Sequence, residues 1–282
     1  MMKHIALLSF ICFLFGCRPQ QQKQTQPPAP SIKCDWQGII KNADTFRNIN
    51  RYMSFEDSLC TGTDWGFNLK YYLNHDTVFI EDAARDNHPK YQYAILKLTN
   101  DSLVLLSPAT KEKPADTVTL SKIRKKNTIK PSAIYFASSV CFGDCPSMYL
   151  KIDSSRTLAF FGEFFTDNVD GFSGKLTADQ YETILDQINN LPVDSLKDFY
   201  HAPWTDDQTC GVAIESGGKL IKSTAYGSFK EPVELTILLD KLIDIYHQVS
   251  LHRDTTVTID YFLTHPAAIP TTKLTTQLAE HK

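Results

Sequence analysis

Residues 68–80 read NLKYYLNHDTVFI, two apolar runs broken by Asn74-His75-Asp76. Asn and Asp suit turns because their short side chains bond nearby backbone and tolerate left-handed geometry. The stretch therefore predicts a β-hairpin. Working outward, residues 91–106, YQYAILKLTNDSLVLL, repeat the pattern about Thr99-Asn100-Asp101. Trp36-Gln-Gly-Ile-Ile40 supplies an earlier strand, and Thr117-Val-Thr-Leu120 adds one at the far end. Alternation on Tyr91, Tyr93 and Ile95 is imperfect, as expected where both faces are partly covered. Periodicity alone gives an all-β meander over residues 32–114.

Further along, the patterning is mixed. Ala133–Ser138, Ser147–Asp153 and Leu158–Phe164 read as strands, with Gly171–Leu176 as a fourth. Thr177-Ala-Asp-Gln180 is a capping box, in which Thr and Gln each satisfy an orphan backbone donor. It opens a helix with Tyr181, Ile184, Leu185 and Ile188 on one face, ended near Pro192. Thr209–Glu215 and Lys219–Tyr226 form a hairpin over Gly217-Gly218. Pro232 starts a second helix, with Leu235, Leu238, Leu239, Leu242 and Tyr246 inward. Thr255–Leu263 reads as an edge strand. The expected class is α+β: an all-β meander or small barrel, then an antiparallel sheet with two helices packed on one face.

The 282 residues carry 29 basic and 32 acidic side chains, a net charge of −3. That balance argues against nucleic acid as a partner, since such proteins present a strongly basic face. At 42% hydrophobic the chain has ample core, which excludes wholesale disorder. No apolar run reaches the roughly 18–20 residues of a membrane-spanning helix. Lys111, Lys113, Lys122, Arg124, Lys125, Lys126 and Lys130 form a basic stretch that also contains Pro114 and Pro131. Such a stretch reads as a solvated linker.

The first 17 residues are MMKHIALLSFICFLFGC: one Lys, an apolar run from Ile5 to Phe15, then Gly16 and Cys17. The run has the length of a signal-peptide core. Leu14-Phe15-Gly16-Cys17 resembles the lipobox of bacterial lipoproteins, which implies that Cys17 is acylated, with palmitate among its lipids, and becomes the first mature residue. Arg18–Ser31, RPQQQKQTQPPAPS, has no large apolar side chain to offset ordering entropy and reads as a tether. The organisation expected is a signal peptide at 1–16, lipidated Cys and tether at 17–31, and a β-rich domain at 32–114. A basic linker at 115–131, an α+β domain at 132–264 and a flexible tail at 265–282 complete it. The expected localisation is the cell envelope, anchored by lipid to the outer membrane, on its periplasmic or its surface side.

Two further resemblances attach to particular residues. YYLNHDTVFIED and YAILKLTNDSLVLL are similar to the small lipocalin-like domains of bacterial lipoproteins, implying a short antiparallel barrel. Cys141-Phe-Gly-Asp-Cys-Pro146, the later Gly162, the capping-box helix, Thr205-Asp206 and Pro232 resemble a C-x-G-x-C-P family of uncharacterised domains in Bacteroidota-type lipoproteins. That resemblance singles out Cys141, Gly143, Cys145, Pro146, Thr205, Asp206 and Pro232, and implies no activity.

Apart from Cys17 and the signal's Cys12, five cysteines remain, and the oxidising envelope permits disulfides. Cys34–Cys60 is a candidate pair; Cys141, Cys145 and Cys210 allow three pairings. The Cys141/Cys145 motif has three readings: a tight Gly-containing structural turn, a copper(I) site of two soft thiolates, or a redox pair. A redox fold places its second Cys at a helix start, where the dipole lowers thiol pKa. Here Ser147–Asp153 alternates like a strand, which favours structure, with Gly143 supplying turn freedom. Thr205 and Asp206 mark a turn or a pocket mouth. No catalytic constellation is found: no H-E-x-x-H, no G-x-S-x-G and no P-loop, so no metal or cofactor is expected. The expected role is a non-catalytic binding or interaction module for a protein or small-molecule ligand. The alternative is a thiol redox or copper(I)-handling protein.

Overall fold

The computed structural model describes residues 29–39, 50–63, 66–81, 89–109, 114–227 and 230–264. The expected signal peptide, Cys17 and the tail lie outside these residues, as does most of the tether. The class is α+β.

The first eight strands are β1 (Asp35–Ile39), β2 (Asn50–Phe55), β3 (Leu59–Gly62), β4 (Gly66–Asn74), β5 (Thr77–Glu81), β6 (Pro89–Leu98), β7 (Ser102–Ser107) and β8 (Asp116–Lys122). Each pairs antiparallel with the next. β4 and β5 turn over His75, which sits in the left-handed region at φ 53°. Between β6 and β7, Thr99 Oγ1 accepts from the Ser102 amide at 2.9 Å. β1 then pairs with β8, Trp36 opposite Lys122 and Gln37 opposite Ser121, and closes a barrel. Gly38 permits that approach, because a Cβ there would stand 2.8 Å from Leu120 Cδ2 and from the Thr119 carbonyl oxygen. Alternate residues fill the interior: Val78 and Ile80, Leu103 and Leu105, Val118 and Leu120, all around a fully buried Trp36. The Trp36 indole N–H is satisfied by the Ile32 carbonyl at 2.8 Å. Eight strands enclose just enough space for side chains to fill.

The second sheet comprises β9 (Ala133–Ser138), β10 (Ser147–Asp153), β11 (Thr157–Phe164), β12 (Asp170–Lys175), β13 (Phe199–His201), β14 (Thr209–Ser216), β15 (Lys219–Tyr226) and β16 (His252–Arg253). Their order is β13-β15-β14-β9-β10-β11-β12-β16, and only the β13–β15 pairing is parallel. β9 is central and buried throughout. Its period-2 alternation sends Ile134 and Phe136 to one core and Tyr135 and Ala137 to another. α1 (Ala178–Asn190) and α2 (Val233–Asp244) cover the first face with Ile184, Ile188, Leu235, Leu238 and Leu242. Each such side chain contributes about 1.5–3 kcal/mol. The capping box forms as read, with the Thr177 amide donating to Gln180 Oε1 at 2.8 Å. α3 (Ile259–Leu263) packs Phe262 on the opposite face, against Tyr149. The edge strand read over Thr255–Leu263 is thus replaced by two-residue β16 and a helix, whose start Thr258 caps through the Tyr261 amide.

The basic linker read at 115–131 is corrected in both halves. Its first half is β8, which belongs to the barrel. Its second half is pinned to the end of α1. The Lys126 and Asn127 amides donate to the Asn189 carbonyl at 2.7 and 3.0 Å. Asn189 Oδ1 accepts from the Ile129 amide at 2.5 Å. Lys125 pairs with Asp186 and Lys126 with Glu234, each at 2.5 Å. Nor do two separately folded pieces result, since Ser31–Lys282 form one compact unit. α2 reaches the barrel through Val233 and Ile237, which cluster with Tyr52 and Ile123. Tyr52 also donates to Asp240, and Lys241 pairs with Glu56.

Asn189→Ala keeps the backbone carbonyl that holds Lys126 and Asn127 but should loosen this clamp by leaving the Ile129 amide unsatisfied, at a cost of about 1–3 kcal/mol. Trypsin should then cut after Lys125 or Lys126 well before it does so in the parent. Equal cleavage rates would remove Asn189 from the role.

Candidate functional site

The segment singled out from sequence connects β9 to β10. Cys141 and Cys145 form a disulfide with their Cα atoms 5.5 Å apart, and Cys210 stays free. Ser138 Oγ donates across the base of the loop to the Pro146 carbonyl at 2.6 Å. After Pro146 the chain enters strand β10, without a helix. Gly143 is not at positive φ, and a Cβ there would meet only Cys141 Sγ at 3.7 Å. The expected need for glycine freedom at that turn is therefore absent.

Thr205 and Asp206 are brought to this loop. The Phe142 amide donates to the Asp206 carbonyl at 3.1 Å, with Asp206 at φ 70°. Gln208 Nε2 donates to the carbonyls of Ser139 and Pro146 at 3.0 and 2.8 Å. Asp207, rather than Asp206, organises the turn: Oδ2 accepts from the Trp204 indole at 2.9 Å, and Oδ1 from the Gln208 amide at 2.8 Å. Gly227, at φ 61°, fits against both, since its Cβ would stand 2.9 Å from Asp207 Oδ2 and 3.0 Å from Trp204 Nε1. The assembly presents Phe142, 90% exposed, at the loop tip. Phe164 and Phe165, also exposed, follow at the same end of the sheet, because Ser147 pairs with Phe164.

Replacing Cys141 and Cys145 together with Ser should lower stability by about 2 kcal/mol at most, the chain-entropy value for so short a loop. Gly143→Ala should stay within about 0.5 kcal/mol of the parent. Thermal melting of both variants checks this, and a large loss in Gly143→Ala would contradict the open space at its Cβ.

The candidate Cys34–Cys60 bridge does not form; both thiols are free. The Cys34 carbonyl accepts from the Phe55 amide on one side, and Cys60 pairs with Phe55 on the other. Strand β2 thus lies between the two cysteines. Two inter-strand spacings put them about 9.5 Å apart, beyond the roughly 7 Å limit for a bridge. Burial pushes the Cys34 thiol up to about 11, against a lowering by Lys122, and the Cys60 thiol up to about 12. Burial, with the nearby Asp240, Asp207 and Glu231, raises Cys210 further. All three therefore stay protonated at neutral pH and are poor nucleophiles. Among the described residues no three His, Cys, Asp or Glu side chains are grouped to hold a metal ion.

Sequence reasoning missed a second place. Where the barrel meets α1 a cleft of about 600 Å³ opens, lined by Cys34, Asp35, Lys122, Thr183, Gln187 and Lys241 among others. A smaller cavity of about 190 Å³ shares Glu56, Thr183 and Lys241 with it. Gln187 is buried on the cleft wall and its Nε2 donates to Asp35 Oδ2 at 2.5 Å.

No helix of the described residues is long and apolar enough to cross a membrane. No curated protein and no solved structure matches the chain. Residues 132–246, from the start of β9 to just beyond α2, match the family model of a domain of unknown function, DUF6438.

Proposed function

We propose that the protein is a lipid-anchored binding module of the cell envelope, of the Bacteroidota lipoprotein type, with a lipocalin-like barrel beside its DUF6438 domain. The cleft between barrel and α1 carries the binding reading, because a volume of about 600 Å³ lies within the range of small-molecule sites. The anchor reading rests on Leu14-Phe15-Gly16-Cys17 and the Gln/Pro-rich segment after it. The Cys141–Cys145 loop, held by Ser138, Gln208 and the Asp206 carbonyl, serves in this reading to display Phe142 toward a protein partner. A second reading, thiol exchange or copper(I) handling at the same pair, draws on the partial exposure of both cysteines. The strand after Pro146 supports the first, since it provides no helix dipole to activate a thiol.

Labelling cells with a fatty-acid probe should mark the parent protein, and Cys17→Ala should lose the label. Equal labelling of both removes the anchor. Loss of stoichiometric copper(I) binding or disulfide exchange in the Cys141/Cys145 double Ser variant, with unchanged melting, would favour the second reading.

A further inference from the structure

We propose that the end of the second sheet formed by residues 139–146, 163–170 and 202–208 docks an arginine-bearing segment of a partner protein. Its guanidinium groups would lie on Phe142, Phe164 and Phe165 inside a rim of carboxylates. This deepens the reading of the Cys141–Cys145 loop as a display for a protein partner and rests on it.

The apolar side comes first. Phe142, Phe164, Phe165 and Val169 are each more than half exposed. Large apolar side chains gathered at one place on a surface mark an interaction site. Here the polar groups are satisfied within the loops while the rings stand outside. Thr166 Oγ1 donates to the Asn168 carbonyl at 2.9 Å. That loop folds down onto Gly162, where a Cβ would overlap the Asn168 carbonyl oxygen. Phe165 sits at φ 55°, a conformation that a bulky residue rarely adopts. The other tip is tied by the disulfide and by the bond from the Phe142 amide to the Asp206 carbonyl. Both tips are held in place before any partner arrives, so docking on them orders little.

The second observation is charge. Asp144, Glu163, Asp167, Asp170, Asp206 and Asp207 lie in these three segments, which contain no Lys or Arg. Ser147 Oγ donates to Glu163 Oε2 at 2.7 Å and ties the second segment to the base of the first. From neighbouring elements Arg253 reaches Asp170 at 2.9 Å, and His247 Nε2 lies 3.4 Å from Asp167. Even with both counted, carboxylates are in excess, and Asp144 and Asp206 are exposed. The group that suits both rings and carboxylates is a cation with flat faces. Guanidinium is weakly hydrated and stacks on aromatic rings, whereas an ammonium holds its water more tightly. An anionic segment is repelled. A lipid surface or an uncharged segment would strip water from the carboxylates without replacing it.

The test uses the full chain, labelled with ¹⁵N, with the peptide acetyl-GRGRGRG-amide as probe. The corresponding Lys and Glu peptides and acetyl-GLGNGLG-amide are the comparisons. The arginine peptide should shift the Phe142 and Phe165 amide resonances and bind tighter than any other. Phe142→Ala and Asp144→Lys should each weaken that binding about fivefold or more, with the melting temperature unchanged. Leu96→Ala and Asp116→Lys, exposed on the barrel, should leave it as it was. Loss with Asp144→Lys but not with Phe142→Ala would reduce the end to a bare patch of charge and overturn the proposal. The Leu peptide moving both tips while the arginine peptide does not would overturn the charge assignment and leave the partner reading standing. No shift with any peptide would overturn both. Phosphatidylcholine vesicles that bind the Cys17→Ala chain but not its Phe142→Ala derivative would assign the rings to a lipid surface and also overturn the proposal. So would a dimer in sedimentation that Phe142→Ala splits, since a second copy would then fill the site.

Discussion

Asp240→Asn should make the protein more stable at pH 8, by an amount approaching about 4 kcal/mol, and indistinguishable from the parent near pH 4. Burial raises the Asp240 carboxyl from 3.8 to about 7, with Glu231 adding to the rise and Tyr52 and Lys241 opposing it. Between those two values the unfolded chain gives up its proton while the folded chain keeps it. Stability then falls as pH increases, and the loss is complete above about pH 7. Asn cannot ionise, yet its Oδ1 still accepts from Tyr52, so the contact between α2 and the barrel survives. Denaturant unfolding of both proteins from pH 4 to 8 measures the difference. Parallel pH profiles would mean that Asp240 is ionised in the fold at no cost.

Gly171→Ala should destabilise by about 3 kcal/mol or more. A Cβ at this β12 position would overlap the Val257 carbonyl oxygen and lie 2.6 Å from that of Asp254. Neither oxygen belongs to a flexible side chain. The Asp254 amide donates to the Gly171 carbonyl at 2.9 Å and the Val257 amide to the Asp254 carbonyl at 3.2 Å. Relief therefore requires moving the whole turn before α3, and with it the Phe262 contact on Tyr149. Lys175→Ala, at the exposed end of the same strand, is the control. A melting temperature for Gly171→Ala equal to that of the control would show that the turn yields freely.

The sequence made visible what local chemistry determines. Asn74-His75-Asp76, Asn100-Asp101 and Gly217-Gly218 mark hairpins because a turn is built from adjacent residues. The Thr177–Gln180 capping box is equally local. Closure of the barrel is different in kind: Trp36 faces Lys122 in register and the Ile123 amide beside them donates to the Asp35 carbonyl, a backbone bond that no side chain announces. The same holds for β13, whose pairing with β15 is parallel and far along the chain. Thr255–Leu263 misled because Thr and Val favour strands, whereas Thr258 acts there as a helix cap. Cys34 and Cys60 misled because nearness in sequence hid the strand folded between them. The cleft was unreadable for a related reason. Lys33, Lys122 and Gln187 come from three distant segments, and each alone looks like an ordinary polar residue.

Closure through β1 and β8 also decides how the molecule would respond to a pull. The chain enters the barrel at Asp35 and leaves it at Lys122, on neighbouring strands and at the same end, where the Ile123 amide donates to the Asp35 carbonyl at 2.8 Å. Tension applied at the N-terminus against a fixed second sheet loads that pair in a peeling geometry, so its few bonds give way one after another. A strand pair drawn lengthwise would resist with all its bonds together. When the chain is held by its N-terminus, the β1–β8 seam is then the place where force opens the described residues first, and single-molecule stretching should record a low-force step there before either core unravels.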